Sequence, residues 1–168
     1  MPDKGKLITF RSPYPTTDII IRYKQVDEEG KGKEGIVLIE RKNPPYGLAI
    51  PGGFLEYGLS LEENARKEAR EETGLEIILR DGTHPYCVRS DPSRDPRFHA
   101  ISIVYLVEGY GRLKAGDDAL EARVYSMLEV ESLVRDNKLA FDHGDILKEY
   151  LQDWKRSIPV IRTPGGWL

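Results

Sequence analysis

The segment from Gly52 to Leu75 constrains this chain more than any other. It reads Gly52-Gly53, a short link, and then a helix opened by Ser60. Ser60 and Glu63 have the capping-box spacing, in which each side chain satisfies a free backbone N–H of the first turn. Gly74 is suited to end the helix in a left-handed conformation. The spacing therefore predicts a helix running to Thr73. At 100° per residue, Glu68 and Glu72 are i, i+4 neighbours, with Glu71 on their flank. All three fall within an arc of roughly 100°. Leu61, Ala65 and Ala69 overlap the edge of that arc, while Glu63, Arg66 and Arg70 lie opposite. At least two carboxylates thus point toward the apolar side. A Glu-rich helix taken alone reads as a solvated acidic face, but inward carboxylates are costly unless paired or bound to a cation. Mg²⁺, a hard ion that prefers oxygen ligands, would remove their mutual repulsion. The Gly52-Gly53 turn lets backbone come close to that site, where its carbonyls can supply neutral oxygens.

The flanks predict short elements. Ile19–Tyr23, Ile36–Glu40, Leu48–Ile50, Glu76–Leu79, Ile101–Val107 and Arg123–Met127 read as strands. Pro51-Gly52-Gly53 stops the third of these, and the polar stretch Asp27–Gly35 reads as a hairpin loop. Two helices are expected near the C-terminus, at about Glu129–Asp136 and His143–Lys155. The second would be capped by Asp142, with Ile146, Leu147, Tyr150, Leu151 and Trp154 at helical spacing. Strands and helices interleave without strict βαβ alternation, which favours an α/β fold with a mixed sheet covered by helices.

Length and charge narrow the function classes. With 168 residues, one domain over 1–156 is expected. The tail 157–168 would be disordered or docked, and its apolar residues suit packing on the domain or across a homodimer. A net charge of −3 provides no basic footprint for nucleic acid. A small nucleotide remains compatible, because a metal ion supplies positive charge locally. Cys87 is the only cysteine, so no intrachain disulfide forms, as suits a reducing compartment. The N-terminal residues lack an apolar signal region and no apolar run is long enough to span a bilayer. These features read as a cytoplasmic protein without membrane contact.

Gly53-Phe54-Leu55-Glu56-Tyr57-Gly58-Leu59 through Lys67-Glu68-Ala69-Arg70-Glu71-Glu72-Thr73-Gly74-Leu75 resembles the Nudix box: Gly, five residues, Glu, seven residues, then Arg-Glu-aliphatic-x-Glu-Glu-x-Gly-aliphatic. The spacing is kept throughout. Two positions depart from it, with Leu59 in place of the first Glu and Lys67 in place of the Arg. The resemblance implies a Nudix-like α/β/α sandwich with a mixed sheet. It also implies a site for Mg²⁺, or Mn²⁺, held by Glu68, Glu71, Glu72 and the Gly52 carbonyl. At the two altered positions we expect an apolar brace, with the Lys67 stem along Leu59 and its ammonium in water.

Three further segments resemble an ADP-ribose pyrophosphatase subgroup: Ser90–Arg97 (Ser-Asp-Pro-Ser-Arg-Asp-Pro-Arg), Gly116–Arg123 (Gly-Asp-Asp-Ala-Leu-Glu-Ala-Arg) and Ala140–His143 (Ala-Phe-Asp-His). The resemblance implies Mg²⁺-dependent hydrolysis of ADP-ribose to AMP and ribose 5-phosphate. Arg97 or Arg94 would hold phosphates or the terminal ribose. Glu121 or Asp118 would position or deprotonate the attacking water. Each segment has a plainer use. The Ser90–Arg97 loop could be a salt-bridged turn, Asp117, Asp118 and Glu121 a solvated loop, and His143 a structural residue in the first turn of its helix. Tyr46, Phe54 and Tyr57 could stack on adenine or simply pack. The same chemistry on a dinucleotide or a damaged nucleoside triphosphate is a competing reading, as is a module that senses a nucleotide without cutting it.

Overall fold

The computed structural model describes residues 11–26, 30–116, 119–157, 162–163 and 166–167. Strand β1 (Tyr14–Val26) is the spine. It pairs parallel with β7 (Ala100–Tyr110) from Tyr14 to Arg22. Along its other edge it changes partner. Residues 16–18 pair antiparallel with β4 (Gly52–Phe54), and residues 22–26 pair antiparallel with β2 (Gly32–Arg41). β2 also carries β3 (Leu48–Ala49) and β8 (Ala119–Tyr125), while β7 carries β5 (Glu76–Ile77) and β6 (Cys87–Arg89). One parallel pair within antiparallel neighbours makes the sheet mixed.

The two-residue period of the strands divides the core between the faces. Ile19 and Ile21 on β1, Val37 on β2, and Tyr105 and Val107 on β7 meet Ala65 and Ala69 of α1 (Leu61–Thr73). Ile20, Ile36, Leu38 and Val104 face the other way. They meet Val130 of α2 (Met127–Arg135) and Ile146, Leu147, Tyr150 and Leu151 of α3 (His143–Ser157). The sheet therefore lies between α1 and the α2–α3 pair, as the α/β/α expectation requires. Ile19, Ile20 and Ile21 are fully buried, each contributing about 1.5–3 kcal/mol.

Helix α1 has the expected signals. Ser60 Oγ accepts from the Glu63 N–H at 3.2 Å, and Glu63 Oε2 accepts from the Ser60 N–H at 2.7 Å. Gly74 closes the helix with φ of 68°. Ser126 and Glu129 repeat the capping box on α2.

Several expectations are corrected. The third expected strand stops as expected, at Ala49, but Gly52–Phe54 then forms a further strand, β4, that was not expected. Gly32 to Gly35 of the expected Asp27–Gly35 loop already belong to β2, and β1 runs on to Val26. These hairpin arms are exposed, so no apolar alternation marks them. β6 was not expected, and β8 ends at Tyr125 because Ser126 caps α2. Asp142 does not cap α3 with its side chain. Its carboxylate is turned onto Arg94, and its carbonyl accepts from the Asp145 and Ile146 N–H groups. α3 continues to Ser157. Most of the tail lies outside the described residues. Within it, β9 (Arg162–Thr163) and β10 (Gly166–Trp167) pair antiparallel. Among the described residues, no helix is long and apolar enough to cross a membrane.

Candidate active site

The change of partner along β1 brings four elements to one cavity of about 300 Å³. Its wall includes Thr16 and Asp18 of β1, Ile39 and Arg41 of β2, Gly52 to Phe54 of β4, and Glu68 and Glu72 of α1. The segment before β7 adds Arg94, Asp95 and Arg97, the turn before α3 adds Phe141, and the first residue of α3 adds His143.

Two glycines make the approach of α1 to β4 possible. A Cβ on Gly53 would lie 2.7 Å from the Glu68 carboxylate, and one on Gly52 would lie 2.3 Å from the Thr17 carbonyl. With glycine there, the Gly52 N–H donates to Glu72 Oε2 at 2.8 Å. Asn64, fully buried on α1, fastens the same junction. Its Nδ2 donates to Thr17 Oγ1 at 2.9 Å, and its Oδ1 accepts from the Glu56 N–H at 3.0 Å.

Glu68 and Glu72 are both half-buried, and both are hard to ionise. Burial pushes Glu68 up to about 7, and the charges of Glu71, Glu56 and Asp18 add to that while Lys67 opposes it. Burial pushes Glu72 up to about 8, and Glu68 and Asp18 push the same way against the Gly52 N–H and Arg41. Two carboxylates that repel each other beside a backbone turn form an all-oxygen donor set suited to a hard divalent cation. Glu71 is placed otherwise. It is exposed and receives the Lys67 ammonium at 2.5 Å. Accordingly, no three His, Cys, Asp or Glu side chains converge on a metal position among the described residues.

The brace at the altered box positions is ionic, not apolar. Lys67 Nζ lies 3.0 Å from Glu56 Oε1 as well as 2.5 Å from Glu71 Oε2. The missing acid at Leu59 is supplied from earlier in the same loop, and the flexible lysine stem reaches it.

Asp18 was not anticipated from sequence, and it is buried in the cavity wall. Burial pushes its carboxyl up. The hydrogen bond from the His143 ring, the Ser102 hydroxyl and the Arg94 guanidinium outweigh that, so its pKa falls below the ordinary value. Its Oδ2 accepts from Ser102 Oγ and lies 3.5 Å from Arg94 Nη2 and 3.8 Å from His143 Nε2. His143 Nδ1 accepts from the Ile50 N–H at 3.2 Å, which matches its structural reading. An acid ahead of the apolar run Ile19-Ile20-Ile21 was the only sequence signal for Asp18.

The two arginines of the Ser90–Arg97 loop differ. Arg94 is buried and forms a two-pronged pair with Asp142, Nε to Oδ2 at 3.0 Å and Nη2 to Oδ1 at 2.7 Å. Arg97 is more open and pairs locally with Asp95 through Nε at 3.0 Å and Nη2 at 2.8 Å. Glu121 is on β8, bonded to Arg123, and does not line the cavity. Asp118 lies outside the described residues. Gly116 ties the preceding segment to α1, its N–H donating to the Glu72 carbonyl at 3.0 Å. Of the aromatics, Phe54 lines the cavity, whereas Tyr46 and Tyr57 are exposed.

Comparison with known proteins agrees with this fold. The family model described as NUDIX domain matches residues 20–150. An ADP-ribose pyrophosphatase of Methanocaldococcus jannaschii is 45% identical over 123 residues, covering 71% of this chain and 67% of the relative. A MutT/nudix family protein from Enterococcus faecalis superposes with a TM-score of 0.69 at 27% identity, over 92% of this chain and 66% of its own. One from Listeria innocua gives 0.63 at 32% identity, over 87% of this chain and 97% of its own.

Proposed function

The chain belongs to the NUDIX family, and from that premise we propose that it hydrolyses the pyrophosphate linkage of ADP-ribose, giving AMP and ribose 5-phosphate. The observation that carries the reaction type is the cavity itself. Glu68 and Glu72 line it with pKa values raised by burial and by neighbouring carboxylates, the Lys67 ammonium coming only to 4.0 Å from Glu68, and Arg41 and Arg97 line the same cavity. A divalent ion held by the carboxylates would supply positive charge to a diphosphate, and the arginines would meet its remaining charge. The Methanocaldococcus jannaschii relative supports the choice of substrate.

Glu68, Glu72, the Gly52 carbonyl and, after release from Lys67, Glu71 are the groups that would hold Mg²⁺ or Mn²⁺. Bound there, the ion supplies positive charge against the oxygens of the attacked and leaving phosphates. Arg97 binds a substrate phosphate through the face of its guanidinium fork not used by Asp95. Arg94 acts at one remove, holding the loop to Asp142 and to Asp18. The proton of the attacking water passes to a carboxylate, with Glu121 and Asp118 as the two candidates; Glu121, on β8, would have to move to reach the cavity. Water attacks one phosphorus in line, and the bond from that phosphorus to the bridging oxygen breaks.

The test is a panel of nucleoside diphosphate derivatives with Mg²⁺ and product identification. Release of AMP and ribose 5-phosphate from ADP-ribose, faster than turnover of the others, is expected. Preference for a dinucleotide or a nucleoside triphosphate would reassign the substrate. Binding of ADP-ribose with no turnover of any substrate would replace the enzyme by a sensor.

A further inference from the structure

Phe141 stands in the turn before α3 with left-handed backbone, φ 56°. A bulky aromatic residue adopts that conformation only where its surroundings over-determine it, and such residues gather at functional sites. The backbone here is fixed on both sides. The Ala140 N–H donates to the Leu48 carbonyl at 2.8 Å, and Asp142 gives both carboxylate oxygens to Arg94. The result is a ring turned into the cavity wall.

Two guanidiniums gather around that ring. Arg41 Cζ lies 4.7 Å from its centroid and Arg97 Cζ 5.3 Å. Arg97 is backed by Phe98, 4.8 Å from that ring's centroid, and by Asp95. Arg41 Nε donates to the Pro45 carbonyl at 2.7 Å, and among the described residues Arg41 forms no ion pair. The two cations repel each other: burial first, then the charge of Arg97, lowers the Arg41 pKa. An aromatic face attracts cations without neutralising them. It can therefore hold two like charges near one another and leave both available to a ligand, which an aliphatic side chain cannot do.

We propose that Phe141 is a positioning residue whose ring holds Arg41 and Arg97 as a two-pronged clamp for the diphosphate of the substrate. The clamp lines the same cavity as Glu68 and Glu72, so it would take phosphate oxygens of a diphosphate bound there. Planar guanidiniums suit paired phosphate oxygens. The inference rests on the diphosphate reading of this cavity and adds Arg41 and Phe141 to it. The plainer role for Phe141 is packing, since it lies beside Ile39, Ala49 and Ala140.

Steady-state kinetics with ADP-ribose, run beside calorimetric binding of inorganic pyrophosphate in Mg²⁺, separates the two roles. Phe141→Leu keeps apolar bulk and removes the ring face. It should raise KM for ADP-ribose and Kd for pyrophosphate by about tenfold, with little change in kcat. Phe141→Tyr should restore both values. In an Arg41→Ala, Arg97→Ala background, Phe141→Leu should add nothing, because the ring acts through the two arginines. Unchanged KM and Kd in Phe141→Leu, or the same loss without the arginines, would overturn the clamp. So would failure of the wild type to bind pyrophosphate. Wild type that binds pyrophosphate but does not cleave ADP-ribose would sink the hydrolase reading, and the pyrophosphate titration of Phe141→Leu would still decide the clamp. Should Phe141→Leu not fold, Arg41→Lys keeps the charge but loses the planar fork; unchanged pyrophosphate affinity there would overturn the proposal.

Discussion

The two acidic walls of the cavity begin from the same penalty and end in opposite states. Asp18 and the Glu68–Glu72 pair are both removed from water, and burial raises the pKa of all three. Around Asp18 the chain supplies its own compensation: Arg94, His143 and the Ser102 hydroxyl, with Asp142 closing the pair to Arg94. Its pKa ends below the ordinary value. Around Glu68 and Glu72 the nearest groups include further carboxylates, and their values end near 7 and 8. A buried acid that is satisfied by its own chain fixes structure. Buried acids that the chain compensates only in part, as Lys67 does for Glu68 and the Gly52 N–H and Arg41 do for Glu72, favour a cation from outside.

The sharpest way to break this contrast is Glu72→Gln. The amide keeps an oxygen for the Gly52 N–H and loses the charge. Hydrolysis should fall by orders of magnitude and Mg²⁺ affinity should weaken. The melting temperature without metal should stay level or rise, since no charge is then buried. A variant that loses activity together with much of its stability would make Glu72 structural, like Asp18.

Next in size is the compensated wall. Asp142→Ala strands the Arg94 guanidinium, whose side chain is 4% exposed. Breaking such a pair from one side costs about 3–5 kcal/mol, read as a lower urea midpoint with unchanged slope. A shift within the range of ordinary surface substitutions would show that Asp18 alone satisfies Arg94.

The third effect is on pH. In metal-free protein, Glu68 and Glu72 hold protons up to about 7 and about 8, while the unfolded chain releases them near the ordinary 4.5. Between those values the native state binds more protons, so stability should fall as pH rises from about 5 to 8. Asp18 contributes with the opposite sign: its lowered pKa gives stability above its ordinary 3.8 that is lost only in more acid solution. Mg²⁺ should therefore raise the melting temperature more at pH 8 than at pH 5.5. Equal stabilisation at both would mean that the ion does not replace those protons.

The smallest effect belongs to the brace. Lys67 is shared between Glu56 and Glu71 near the surface. Glu56→Gln should cost less than about 1 kcal/mol and lower kcat modestly by loosening the loop. Leu59→Glu with Lys67→Arg should add little to kcat, because Glu56 already supplies the acid. A large gain would show that the present ion pair is a poor substitute.

How far the sequence reached follows from the range of the interactions concerned. Ser60, Glu63 and Gly74 determined both ends of α1, and the i, i+4 spacing of Glu68 and Glu72 determined that they share a face. Those relations lie within one or two helical turns and hold wherever the helix packs. The long β-branched strands were legible for the same local reason, and the family pattern in the box extended the reading to metal and reaction type. Partner choice was not legible. That Lys67 reaches Glu56 rather than lying along Leu59, that Glu71 turns outward, and that Asp142 leaves its helix end for Arg94 each depended on which elements meet in space. Asp18, Arg41, Arg94 and the Phe141–His143 pair come from four separate stretches of the chain, and β1's change of partner brings them around one cavity. A charge is satisfied by whatever lies within a few ångströms of it, and for buried groups that neighbourhood exists only after the sheet has formed.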